Sequence, residues 1–271
     1  MDNRPIGVFD SGLGGLTAVR ELMALLPAED IIYFGDTGRV PYGGRSRATI
    51  VKYTRQDINF LMQYDIKAIV IACNTADTAA RELMQREYDV PIFGAVQPAS
   101  LLAVQATRAG KIGLIGTSTT IASGRYEQFI HEAMPDAEVR AYACPLLVPL
   151  VENGRIHPGD VVIETVVREY LQPLRDWGCD TLVLGCTHYP LLMGVIGEFM
   201  GPDVTLINSG AAAAQGVRQA LEAQNALAES GRTGACRYFV SDSPDGFSDM
   251  ASLFLQRPVR DDVTQINIDQ F

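Results

Sequence analysis

A chain of 271 residues that is 47% hydrophobic and 20% charged has an ordinary soluble globular composition, with residues enough for one large domain or two smaller ones. Its net charge of −10 argues against nucleic acid as the main partner, since such partners call for a basic face. No apolar run approaches the roughly 18 residues of a spanning helix, the opening Met1-Asp-Asn-Arg-Pro-Ile6 lacks the apolar stretch of a signal peptide, and the five cysteines contain no Cys-x-x-Cys pair, so a cytoplasmic protein with reduced thiols, no membrane contact and no metal is expected.

Strand-like and helix-like segments alternate along the chain. Ile6–Asp10 reads as a buried strand, followed by Leu13, Leu16, Val19, Leu22 and Leu26 at helical spacing. Between them lies Asp10-Ser11-Gly12-Leu13-Gly14-Gly15, a glycine-rich turn that matches neither a dinucleotide fingerprint nor a P-loop. Ile31–Phe34 is the next strand. The loop Asp36-Thr-Gly-Arg-Val-Pro41-Tyr42-Gly43-Gly44-Arg45-Ser46 follows, and Ser46 can cap a helix whose apolar face is Ile50, Thr54, Ile58, Leu61 and Met62. Ala68–Ala72 is a strand and 76–85 a helix. Then come strand 91–96, helix from about Pro98 to Arg108, strand 112–116, one helix to about Met134, and a short strand 138–143. Pro158–Trp177 is a long amphipathic helix ended by Gly178. Strand 181–185, a helix to about Met200, strand 204–207, helix 211–223, strand 237–241, helix 245–255 and a short strand 263–268 complete the chain. Such βαβ alternation predicts an α/β fold with mostly parallel strands, and ligands of such sheets bind beyond the strands' carboxyl ends.

Two cysteines stand at such ends. Lys67-Ala-Ile-Val-Ile-Ala-Cys73-Asn74-Thr75 and Thr181-Leu-Val-Leu-Gly-Cys186-Thr187-His188 are near-matching strands that end on a thiol. Ile6-Gly-Val-Phe-Asp10-Ser11 likewise resembles Ile112-Gly-Leu-Ile-Gly116-Thr117, and each precedes its cysteine strand by a similar distance: 73 − 11 = 62 residues and 186 − 117 = 69. Two duplicated α/β halves facing each other would put one thiol on each side of a cleft. Asn74 and Thr75 can hold a carboxylate without adding charge, and His188 can support a thiolate. Glu152 can orient His188, or be a surface charge. Cys144, Cys179 and Cys236 lack such company and read as structural, and His131 and His157 as solvated. A lone Cys/His pair would suggest a thiol hydrolase. Two matched thiols suit proton removal from a carbon beside a carboxylate and proton return on its opposite face. No lysine has a context that suggests a pyridoxal Schiff base, so a cofactor-free route is preferred. A binding protein without catalysis and a Cys73–Cys186 redox switch are the alternatives.

Taken together, Asp10-Ser11-Gly12-Leu13-Gly14-Gly15-Leu16, Gly35-Asp36-Thr37 with Pro41-Tyr42-Gly43, Ala72-Cys73-Asn74-Thr75-Ala76, Pro149-Leu-Val-Glu152 and Leu184-Gly185-Cys186-Thr187-His188-Tyr189-Pro190-Leu191 closely resemble the bacterial glutamate racemases, over about residues 4–215. The resemblance implies cofactor-independent interconversion of L- and D-glutamate, which supplies D-glutamate for peptidoglycan. It implies that Cys73 takes the proton from D-glutamate and Cys186 from L-glutamate. Asp10 would assist Cys73, and Glu152 and His188 would assist Cys186. Asp10, Ser11, Pro41, Tyr42, Gly43, Asn74, Thr75, Thr117, Thr187 and His188 match substrate-binding positions. It further implies two pseudo-symmetric α/β domains with the site in the cleft between them: 1–97 with 208–271, and an inserted 98–207. A homodimer is expected. The chain departs from the family pattern at Ser209-Gly-Ala-Ala-Ala-Ala214, at Gly38 where alanine is common, and at Asp77 where serine is common. Its short N-terminus leads one to expect no segment for binding a peptidoglycan-precursor activator.

Overall fold

The computed structural model describes residues 1–259 and 263–271. Among the described residues there are ten strands: β1 (Ile6–Asp10), β2 (Ile31–Gly35), β3 (Ala68–Ile71), β4 (Ile92–Gly94), β5 (Lys111–Gly116), β6 (Glu138–Ala143), β7 (Thr181–Gly185), β8 (Thr205–Asn208), β9 (Cys236–Val240) and β10 (Val263–Gln265). They form two wholly parallel sheets, a six-stranded one in the order β10-β9-β2-β1-β3-β4 and a four-stranded one in the order β6-β5-β7-β8. The fold is α/β, as the alternation predicts.

The internal repeat has a topological counterpart. The run β2-β1-β3-β4 has the same order and direction as β6-β5-β7-β8. Ile6 lies beside Ala68 and Phe9 beside Ile71 in one sheet, and Ile112 beside Thr181 and Gly116 beside Gly185 in the other. Strands β1, β2, β3 and β7 are buried along their whole length. Helices cover both faces of such strands, which therefore read as continuous aliphatic runs rather than as alternation. Burying each large apolar side chain of these runs stabilises the fold by roughly 1.5–3 kcal/mol before chain entropy is counted.

Several element ends differ from the sequence reading, each for a local reason. The helix expected from Pro98 begins at Val96, where the Asp77 carboxylate meets its backbone N–H. The single helix expected before Met134 is two, Ser118–Ala122 and Arg125–Ala133, separated by Gly124 at φ 64°. The long helix starts at Val161 rather than Pro158, because the Asp160 side chain accepts from Val162 N. It does end at Gly178, with φ 77°. Ser46 caps its helix as expected, accepting from Thr49 N, but Met62 lies past the helix end and is 43% exposed. A short helix, Leu147–Glu152, has no counterpart in the sequence reading, and it carries Glu152.

Candidate active site

Strands β1, β3, β5 and β7 all point their carboxyl ends toward one small cavity lined from both sheets. Ser11, Pro41, Tyr42, Gly43, Cys73, Asn74 and Thr75 line it from the six-stranded side. Thr117, Cys186, Thr187 and His188 line it from the four-stranded side. Val40 and Val148, which sequence reasoning missed, add apolar wall. Asp10 and Glu152 are not part of that lining and stand behind it.

Cys73 ends β3 and sits at the N-terminus of the helix Asn74–Glu87. Its thiol donates to Ser11 Oγ at 3.5 Å. Burial, helped by the charge of Asp10, pushes this thiol up to about 12, although contacts from Ser11 and the Ala76 N–H favour the thiolate. The aliphatic run of β3 thus delivers a thiol that holds its proton firmly.

Cys186 ends β7 and faces a different partner. Its sulfur lies 3.8 Å from His188 Nδ1, and His188 Nε2 lies 3.1 Å from Glu152 Oε1. Burial alone would drive the imidazolium to deprotonate. Hydrogen bonds with Cys186 and Glu152, with the charges of Cys186 and Asp10, outweigh it and raise the His188 pKa from 6.5 to about 10. The ring also stands edge-on against Phe254 at 5.3 Å, on the helix Phe247–Leu255.

Asp10 belongs to both sides. It is wholly buried, accepts from Gly12 N at 3.2 Å, and accepts from Thr187 Oγ1 at 3.4 Å. Thr187 Oγ1 is in turn 3.4 Å from His188 Nδ1. Burial raises the Asp10 pKa, while His188 and the N–H groups of Gly15 and Gly12 oppose the rise. Thr187 thus links Asp10, expected to assist Cys73, to the His188 side as well.

The polar wall is made of hydroxyls and amides. Thr75 Oγ1 lies 2.9 Å from Thr117 Oγ1, and Thr120, absent from the sequence reading, lies 3.2 and 3.0 Å from those two. The run Thr117-Ser-Thr-Thr120 after a strand was the available signal. Asn74 is committed at both ends: Nδ2 donates to Ser209 Oγ at 3.2 Å, and Tyr126 OH donates to Oδ1 at 2.5 Å. Tyr42 lines the cavity and commits its hydroxyl to Asp36, with Asp57 Oδ2 at 3.0 Å. Arg39 joins this cluster, donating to Asp36 at 2.7 Å and to Asp57 at 3.1 Å. Asp57, twenty-one residues after Asp36, has no local sequence signal. Cys144 and Cys179 are buried as well but do not line the cavity. His131 and His157 are exposed. Among the described residues, no group of three or more His, Cys, Asp or Glu side chains is arranged to hold a metal ion, and no helix is long and apolar enough to cross a membrane.

Residues 17–217 match the Asp/Glu/Hydantoin racemase family. A glutamate racemase of Geobacter metallireducens is 44% identical over 266 residues, covering 98% of this chain and 97% of the relative. Among solved structures, glutamate racemase isoform RacE1 from Bacillus anthracis superposes with a TM-score of 0.93 at 37% identity, covering 98% of each chain. The Francisella tularensis glutamate racemase in complex with D-glutamate superposes with a TM-score of 0.90 at 37% identity over the full length of both. The chain belongs to the Asp/Glu/Hydantoin racemase family, and within it aligns along its length with glutamate racemases.

Proposed function

We propose that this protein interconverts L- and D-glutamate without a cofactor, by proton transfer between its α-carbon and two cysteines. The observation that carries the reading is one cavity lined by two thiols, each ending the corresponding strand of two like-ordered sheets. With L-glutamate bound, the Cys186 thiolate removes the α-proton while the His188 imidazolium balances the charge. The Cys73 thiol gives its proton to the opposite face, so D-glutamate forms, Cys186 ends as thiol and Cys73 as thiolate. The reverse reaction exchanges the roles. The α-carbon is a very weak acid, so the carbanion must be stabilised by fixed donors in a site that excludes water. The hydroxyls of Ser11, Thr75, Thr117 and Thr187, and the N–H groups opening the helix Asn74–Glu87, suit the two carboxylates.

The remaining expectations form part of the same reading. The protein is a cytoplasmic homodimer that supplies D-glutamate for peptidoglycan. Its two domains are 1–97 with 208–271, and 98–207. The direct test is circular dichroism of L-glutamate incubated with pure protein. The optical signal should decay to zero in wild type and persist with Cys73→Ala or Cys186→Ala. In heavy water, deuterium should enter the α-position of the product. Full activity in both directions in either alanine variant sinks the two-thiol mechanism. Turnover of L-aspartate in preference to L-glutamate redirects the substrate.

A further inference from the structure

The chain crosses between the two sheets twice. It leaves the six-stranded sheet through β4 and the helix Val96–Ala106, and returns through β8 and the helix Ser209–Ala223. The helix Val96–Ala106 packs on the helix Arg125–Ala133 and against β7 and β8, so it belongs mechanically with the four-stranded sheet. The helix Asn74–Glu87 packs on the helix Arg47–Leu61 and against β3 and β4, so it belongs with the other. Both crossings are gripped from this second helix, within its first turn. Asn74 Nδ2 donates to Ser209 Oγ at the return crossing. Asp77 Oδ2 accepts from Val96 N at 2.7 Å at the outward crossing, while its Oδ1 accepts from Arg81 Nε at 2.7 Å.

The Asp77 grip is built for a carboxylate. The side chain is 1% exposed, and a buried carboxylate persists only when its oxygens are bonded. Gly94, next to the crossing, leaves room for it: a Cβ there would stand 2.3 Å from the Asp77 carboxylate atoms. Serine, the residue that the family resemblance leads one to expect here, has one neutral oxygen where Asp77 offers a separate oxygen to Val96 N and to Arg81.

We propose that Asp77 is a positioning residue that clamps the outward crossing to the turn begun by Cys73, and so holds the cleft closed around its two thiols. Hinge motion is absorbed at a few residues where elements end, and Gly94–Val96 is such a place. Releasing the clamp lets the sheets part while each stays folded. The proposal uses the two-thiol cleft described above, but not the identity of the amino acid.

The test compares thiols within one molecule. All four of these cysteines are buried, but Cys73 and Cys186 line the cleft cavity and Cys144 and Cys179 do not. Folded full-length protein is treated with iodoacetamide, and each cysteine peptide is followed by mass. Asp77→Ala should raise alkylation of Cys73 and Cys186 roughly tenfold, as local opening does, and leave Cys144 and Cys179 unchanged. KM for both glutamate enantiomers should rise more than kcat falls, and Asp77→Asn, which can still accept the Val96 N–H, should restore most of it. Gly94→Ala attacks the same contact from the other side, should reproduce the pattern, and carries the test if Asp77→Ala does not fold. Unchanged cleft-thiol reactivity overturns the proposal. So does a parallel rise at all four cysteines, which marks a stability residue only. Absence of racemisation in wild type would instead sink the racemase reading, with the alkylation pattern still deciding the clamp.

Discussion

Cys73 and Cys186 hold corresponding positions in unequal surroundings. Cys73 has a hydroxyl partner and a thiol pushed up to about 12, whereas Cys186 faces an imidazole backed by a carboxylate. A positioned acid–base group contributes roughly 10²–10⁴-fold. On the proposed mechanism, in which Cys186 acts as base on L-glutamate, His188→Gln should therefore cut kcat about 100-fold in that direction and less on D-glutamate. Initial rates measured from each enantiomer check the inequality; equal losses would show that Thr187 and Asp10 couple the two thiols into one unit. The same histidine makes stability depend on pH. Its folded pKa of about 10 lies above the ordinary 6.5, so the fold holds this proton more tightly than the unfolded chain does. That contribution is full below pH 6.5 and fades as pH rises toward 10. The gap in thermal midpoint between wild type and His188→Gln should thus be widest near pH 6 and should shrink by pH 10.

At the scale of elements, the loop between β2 and the helix Arg47–Leu61 presents Pro41, Tyr42 and Gly43 to the cavity, yet a buried cluster beneath it holds it there. Arg39 sits between Asp36 and Asp57, both fully buried, and its guanidinium stacks over Tyr53 at 4.1 Å. Burial, then the charge of Asp36, pushes the Asp57 pKa well above the ordinary carboxyl range, and Arg39 opposes this. Arg39→Met leaves the two acids facing each other and should cost about 3 kcal/mol, as breaking a buried pair does. Urea unfolding reads that loss, and KM for glutamate should rise because Tyr42 and Gly43 lose their support. This cluster also shows where sequence reasoning stops. The strand ends that carry Asp10, Cys73 and Cys186 were legible because aliphatic runs are self-announcing. The partnership of Asp57 with Asp36 was not, because it depends on how a helix lies over a loop. The helix Leu147–Glu152 escaped for a related reason: Pro149 stands inside its six residues, and tertiary packing rather than propensity sustains it. Asn74 was legible as a site residue, but its side chain serves Ser209 and Tyr126 from other elements, a use no spacing announces.

On the scale of the whole molecule, the two sheets share a strand order that parallels the sequence repeat. Besides the crossings, small residues in the turn after β1 let the two sides of the site approach closely. Thr17 Oγ1 donates to Thr187 O at 2.8 Å, drawing the helix Leu16–Leu25 against the turn after β7. Gly14 permits this approach. A Cβ at Gly14 would stand 2.4 Å from Thr187 Oγ1 and 2.5 Å from the His188 ring, distances at which something must shift. Neither neighbour can move freely, since Thr187 bonds Asp10 and His188 bonds Glu152. Gly14→Ala should consequently displace the Cys186 half of the site relative to the Cys73 half while both sheets stay folded. A misplacement of about 1 Å at a reacting centre costs on the order of 100-fold in rate, and here it should fall on both directions alike, unlike the one-sided effect of His188→Gln. Far-ultraviolet circular dichroism should match wild type, and racemisation rates from both enantiomers should drop together. A variant of normal activity would mean that the turn gives way instead, and that the fit between the halves is set by the chain crossings rather than by Gly14.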